Sequence, residues 1–219
     1  MTTHHNDDTA REAHLPVLPD DGDKGPLRAR VQAAIGFTRQ VQPQYDAAAV
    51  TALRHLGGTM AGVNHLDADL EQFFVGFAVR DGAGVAVAAP PTLDEHGEIV
   101  PERPERAFGG RETGYCAVLT AERTMALPLN DVLEFHRFAH NPVTEVGEGK
   151  PGVRAYIAAP LLTTDDLVAE DGWHLPGDIV FGTLWVVDNK PQQWTTDDVA
   201  WLKGEANALR DGIVAPYRR

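Results

Sequence analysis

Cysteine is nearly missing: Cys116 is the only one in 219 residues. One thiol forms no internal disulfide and makes no structural zinc site by itself. Long apolar runs are missing too. No stretch of about 18 apolar residues occurs, so no segment is expected to cross a bilayer as a helix. Positive charge is scarce, with 19 Lys and Arg against 32 Asp and Glu and a formal net charge of −13. Such a chain repels phosphate backbones, and its short basic pieces at 28–30 and 217–219 form no concentrated patch. Nucleic acid is therefore not an expected partner, and neither is a membrane. The first 25 residues contain no apolar core of a secretory signal, so the expected location is cytoplasmic.

What is present suits a soluble folded chain, since 43% of residues are hydrophobic and 23% charged, as in ordinary globular domains. Residues 1–25 are polar, rich in Asp and His and without periodicity, and are expected to be a disordered tail. Residues 26–44 read as a helical extension. Pro26 sits at a favourable helix start, and Leu27, Val31, Ala34 and Ile35 share a face. A second helix is expected over 45–63, with Asp46 as its N-cap and Val50, Leu53 and Met60 as its stripe. Gly57 and Gly58 weaken its middle or end its first half.

Residues 71–91 read as a hairpin around "DGAG", and 92–110 as a long polar surface loop. A short helix around Tyr115 and Cys116 leads into a strand, "TMALPL". A strand over 152–162 puts Val153, Ala155, Ile157 and Ala159 on one side and Arg154 and Tyr156 on the other. Residues 163–178 are too many for a simple turn. "IVFGTLWVVD", 179–188, is almost wholly apolar, as a central strand covered on both faces would be. Gly182 within it implies close approach by another backbone or a bound group. The clearest helix is 194–214. Thr195 or Thr196 caps it, Asp197 and Asp198 suit its positive end, and Val199, Leu202, Ala206, Leu209 and Ile213 form both a core stripe and a seam for a second helix. The order of elements implies an α+β fold, one mostly antiparallel sheet with terminal helices on one face and short helices and loops on the other.

One segment is out of keeping with a simple connection. "EFHRFAHNPV", 134–143, carries two Phe, two His and an Arg. His136 and His140 are four apart and would share a helix face, a spacing that suits a metal, but Asn141 and Pro142 imply that a helix ends there and no third ligand is evident. His174, in the long loop, is the nearest candidate. Arg137 and Arg154 offer forks for an anion; the alternative is a salt bridge with Asp131 or Glu134. Cys116 reads as a buried small hydrophobe. Trp185 and Trp201 read as packing residues and Asp188 as a turn residue. No nucleophile with a base beside it, phosphate loop or paired-carboxylate signature is visible.

"GYCAV" at 114–118, "RFAHNPV" at 137–143, "VRAYIAAPL" at 153–161 and "GDIVFGTLWVVDNKPQQWTTDDVAWL" at 177–202 together resemble the GAF domain family, over roughly residues 45–215. The resemblance implies a stand-alone sensory module with a central antiparallel sheet of five or six strands. It implies terminal helices on one face, which often join a partner's in a homodimer, and a pocket on the other face roofed here by residues 131–150. Phe135 and Phe138 either face a ligand beneath that roof or fill the space themselves. The candidate ligand-binding residues are Tyr115, Cys116, Phe135, His136, Arg137, Phe138, His140, Arg154 and Tyr156. One branch of the family reduces free methionine sulfoxide with several cysteines; this chain has one, so that activity is not expected.

The expected function is a non-catalytic, small-molecule-sensing regulator that signals through its terminal helices to a partner protein. No cofactor and no metal is assigned, and the ligand is unnamed. The alternatives are a dimerisation or interaction module that binds no ligand and, more weakly, a redox, metal or haem protein using Cys116 or His136 and His140.

Overall fold

Gly57 and Gly58 decide where the first layer of the molecule ends. In the computed structural model, helix α2 runs Gln42–Leu56 and stops at these two glycines, whose φ values are 78° and 87°. A non-glycine residue pays for that left-handed backbone, so the pair breaks the helix rather than weakening it. The chain re-emerges as a strand, β1, Met60–Leu66. The helix expected over 45–63 is thus a helix and half a strand, and Met60 belongs to the sheet. Asp46 is not its N-cap: Val41 holds that place, and the Asp46 carboxylate accepts from Gln42 Nε2 within the helix at 3.2 Å. The structure describes residues 24–35, 41–68, 72–87, 115–122, 126–139, 141, 143–144 and 152–218.

The other elements are α1 (Lys24–Ile35), β2 (Gln72–Asp81), β3 (Gly84–Val87), α3 (Tyr115–Glu122), β4 (Leu127–Leu129), a 3-10 turn (Val132–Glu134), α4 (His136–Ala139), β5 (Ala155–Leu162), β6 (Val180–Asp188) and α5 (Thr196–Val214). The six strands form one sheet in the order β3-β2-β1-β6-β5-β4, and every neighbouring pair is antiparallel. The β2–β3 turn is closed by Asp81, whose Oδ1 accepts from the backbone N–H of Ala83 and Gly84. β6 lies at the centre and is buried along its whole length, which explains its unbroken apolar sequence. Gly182 has the reason expected for it: a Cβ there would land on the carbonyl oxygen of Asn64 in the neighbouring strand.

Side-chain alternation along these strands feeds two separate cores. The larger lies between the sheet and α1, α2 and α5, with Ala61, Val63, Ile157, Leu161, Leu184 and Val186 facing the helices. Contact here is close: a Cβ on Gly76 would sit 2.6 Å from the Tyr45 backbone, so α2 lies directly on β2. α1 joins the same core through Val31 and Ile35, and Arg28 Nε donates to the Val180 carbonyl at 2.8 Å. α5 starts in a reciprocal cap, with Asp198 N–H donating to Thr195 Oγ1 and Thr195 N–H donating to the Asp198 carboxylate. Its stripe, Leu202, Ala206, Leu209 and Ile213, is buried against β5 and α2 of the same chain. The stripe read from its spacing is thus the core stripe of this chain. Trp201 packs flat on His55, with ring centroids 3.7 Å apart. Among the described residues no helix is long and apolar enough to cross a membrane.

Candidate functional site

The second core occupies the opposite face of the sheet, under α3 and α4. From β6 it receives Trp185 and Val187, from β5 Tyr156 and Ala158, and from β1 Leu66. β2 contributes two aromatics that simple alternation would separate. Phe74 and Phe77 are three apart, which in a regular strand means opposite faces. A β-bulge intervenes: Val63 pairs with Gly76 and Asn64 with Phe74, leaving Val75 as the extra residue. Both rings consequently meet Trp185, at 5.6 and 5.9 Å between centroids. The indole is admitted because residue 62 is glycine; a Cβ there would lie 2.5 Å from Trp185 Cζ2. Tyr115 of α3 bridges the remaining rings, 4.9 Å from Tyr156 and 5.4 Å from Phe138.

Between these groups lies a cavity of about 40 Å³, room for about three water-sized groups. Its surface is almost wholly apolar, and Gln72, Phe74, Cys116, Val153, Tyr156, Trp185 and Val187 line it. A chain of hydrogen bonds crosses three strands to reach it. Thr183 Oγ1 donates to Asn64 Oδ1, and Asn64 Nδ2 donates to Gln72 Oε1 at 2.7 Å. Cys116 Sγ and the Tyr156 hydroxyl are 3.1 Å apart. Burial pushes the Cys116 thiol and the Tyr156 phenol up, so both are neutral at physiological pH. Burial likewise pushes the Tyr115 phenol up to about 12, and its hydroxyl meets Thr144 Oγ1 at 2.7 Å. Two donors on the cavity residues have no partner: Gln72 Nε2 and Trp185 Nε1. Each such orphan costs about 1–3 kcal/mol. A third orphan, Asn141 Nδ2, belongs to the roof segment and not to the cavity lining.

Of the residues singled out from the sequence, Tyr115, Cys116, Phe138 and Tyr156 come together in this core. Phe135 does not. It is 42% exposed, because the 3-10 turn before it and α4 after it rotate the two Phe onto different sides. Phe138 therefore packs inward alone. His136 is exposed and Arg137 half-exposed, its guanidinium 5.9 Å from the Phe138 ring centroid. His140 lies outside the described residues. Arg154 is the ion-pair alternative realised, donating to both Asp131 oxygens, at 2.6 and 3.2 Å. Arg154 holds the Asp131 carboxyl below the usual carboxylate range. Asp131 also caps the 3-10 turn through Leu133 N–H, so the pair ties the roof to β5. The anion site expected of Arg137 and Arg154 thus meets an Arg154 fork already engaged by Asp131, and among the described residues the thiol and the phenol are the ionisable groups that line the cavity. Among the described residues no group of three or more His, Cys, Asp or Glu is placed to hold a metal.

Sequence reasoning missed Asn64, Gln72 and Thr183 and took Trp185 for packing alone. Asn64 was hidden by the helix expected to run to residue 63. The alternation of Thr183, Trp185 and Val187 on β6 was a usable signal, since a Thr two residues before a Trp on a buried strand needs a hydrogen-bond partner.

A family model described as GAF domain matches residues 37–209. Among solved structures, the GAF domain from an Acinetobacter phosphoenolpyruvate-protein phosphotransferase is 13% identical, with 87% of this chain and 92% of that chain covered at a TM-score of 0.50. The blue-light absorbing form of the Thermosynechococcus elongatus PixJ GAF domain is 13% identical, with 81% and 87% covered at 0.47. A type II free methionine-R-sulfoxide reductase from Thermoplasma acidophilum is 14% identical, with 82% and 96% covered at 0.45. At this identity the first likeness concerns the fold alone. No curated protein matches the chain.

Proposed function

Because the chain belongs to the GAF domain family, whose members commonly mediate ligand sensing in signalling proteins, we propose that it is a cytoplasmic, non-catalytic sensor of a small molecule held between the sheet and α3. The observation that carries this reading is the cavity on the α3 face of the sheet, beside which the side chains of Gln72 and Trp185 keep buried donors without a partner. A self-contained core of this kind would be filled with apolar atoms or would pair its amide and indole groups. Absence of catalysis is supported by the state of Cys116: a buried thiol pushed up by desolvation is a poor nucleophile. The proposed output runs through α2 and α5, which pack on each other across the sheet from the cavity, to a partner protein or a second copy of the chain. A ligand shifts such an equilibrium only by binding one arrangement better than another.

The second reading, an interaction module that binds no ligand, is favoured by the cavity's small volume and by Phe138 packing inward. A melting-temperature screen against a metabolite panel separates the two. A ligand at about 100 times its Kd adds about 2.7 kcal/mol, or roughly 5–10 °C for a chain of this size. A flat response across the panel, with a crystal structure showing the cavity closed by its own side chains, sinks the sensor reading.

A further inference from the structure

The two cores lie on opposite faces of the sheet, and one short stretch of chain ties them together. Leu129, at the end of β4, and Val132, at the start of the roof, are both buried in the cavity-side core. Asn130 stands between them and is engaged twice by the segment that leads into α5. Its backbone oxygen accepts from Gln192 N–H at 2.8 Å, and its side-chain Oδ1 accepts from Trp194 N–H at 3.2 Å. Trp194 directly precedes Thr195, the cap of α5. Its ring is buried in the helix-side core, where Nε1 donates to the carbonyl of Leu56, the last residue of α2, at 3.4 Å. The roof meets the same turn by a second path. Val132 N–H donates to the Arg154 carbonyl, Arg154 N–H donates to the Asp188 carbonyl, and the Asp188 carboxylate accepts from Gln192 Nε2. Two attachments on one residue fix orientation as well as position. A shift of the roof at Asn130 either breaks both bonds or carries residues 192–194 with it, and with them the ring that seats the end of α2. Hydrogen bonds and packed side chains of this kind carry coupling between distant sites. We infer that Asn130 is a positioning residue that couples the roof to the helix layer by holding Trp194 against the end of α2. The coupling supplies a route for the proposed output and rests on that reading only for its use. It exists without a ligand, so its failure and the failure of the sensor reading are told apart.

Solvent exchange of the Trp194 indole N–H, followed by NMR in the full chain, tests this. The signal is assigned by its loss in Trp194→Phe. The roof is loosened from a distance with Arg154→Gln, which cuts the partly exposed ion pair to Asp131. In the natural chain this change should speed indole exchange by up to about fivefold, the range of such a pair. In an Asn130→Ala background, where Trp194 N–H has lost its acceptor, Arg154→Gln should lose most of that effect. Asn130→Asp keeps an acceptor oxygen in place and should restore it. If Asn130→Ala does not fold, Asn130→Ser, whose hydroxyl is one bond shorter, replaces it. The backbone amide of Leu202, inside α5, reports general loss of stability and should not follow the indole. An undiminished Arg154→Gln effect in the Asn130→Ala or Asn130→Ser background overturns the proposal. So does an indole rate that Arg154→Gln leaves unchanged, or one that rises together with the Leu202 amide.

Discussion

His65 should make this protein lose stability in mild acid, by an amount that can be worked out in advance. The side chain points from β1 into the helix-side core, where it is 7% exposed. Nε2 meets the Tyr45 hydroxyl at 3.0 Å, and the ring sits edge-on to Tyr45 and to Phe181. Burial pulls its pKa from 6.5 down to about 4, so the folded state keeps the imidazole neutral. The unfolded chain takes up a proton as pH falls through 6.5, whereas the folded chain does so only near 4. Stability therefore falls with pH across that window and levels off below it. At 1.36 kcal/mol per pKa unit, the loss between about pH 7 and about pH 5 is about 2 kcal/mol. Asp46 works in the opposite sense, because burial raises its pKa and its contribution grows on acidification. Comparison with His65→Gln cancels that background, since an amide carries no titrating proton and still reaches Tyr45. Urea unfolding at half-unit pH steps should give a sloping curve for the natural chain and a flatter one for the variant. Parallel curves would show that His65 is not held neutral, and the reasoning from its burial would be wrong.

Two further substitutions probe the opposite core. Phe138→Ala should cost about 3 kcal/mol, as a buried ring does, while Phe135→Ala at the exposed neighbouring position should stay within about 0.5 kcal/mol; equal effects in thermal unfolding would contradict the placement of the two rings. Gly62→Ala places a methyl 2.5 Å from Trp185 Cζ2 and 2.9 Å from the Gly76 carbonyl oxygen. It should cost about 1–3 kcal/mol by overpacking and shift the Trp185 indole resonance, and an unchanged resonance in a stable variant would deny that Gly62 makes room for the ring.

Much of the architecture was legible because β6, α5 and the β2–β3 hairpin each obey one strong local rule: a continuous apolar run, a capped helical stripe, and a tight turn between β-rich runs. β1 obeys none. "MAGVNHL" has glycine near its middle and two polar residues near its end, and it follows an Ala-rich helix whose propensity carries the eye past Gly57. It is a strand because both its neighbours in the sheet satisfy its backbone and both layers bury its side chains. The site was legible in its aromatic part and in Cys116. Tyr115, Phe138 and Tyr156 announce themselves by size, but amides such as Gln72 are ordinary surface residues until a strand pairing buries them. The bulge at Val75 was out of reach too, since nothing in "QFFVGFAV" marks the extra residue that brings Phe74 and Phe77 to one face.

Asn64 and His65 show why the two layers of the molecule differ in kind. They are adjacent on β1 and face opposite cores. His65 meets a hydroxyl in a layer otherwise closed mainly by aliphatic side chains, with Phe181 and Trp194 among them. Asn64 passes a hydrogen bond to Gln72, where the chain stops at a donor with nothing to receive it. A sequence selected for stability alone would have ended that chain on an acceptor or left it out, because each orphan subtracts from a small net stability. Local rules tend to be broken where a protein is built to meet something else. Here the breach falls, among the described residues, on the face of the sheet that holds the cavity and on the roof above it, while the helix layer beneath the sheet retains none of the unpartnered side-chain groups.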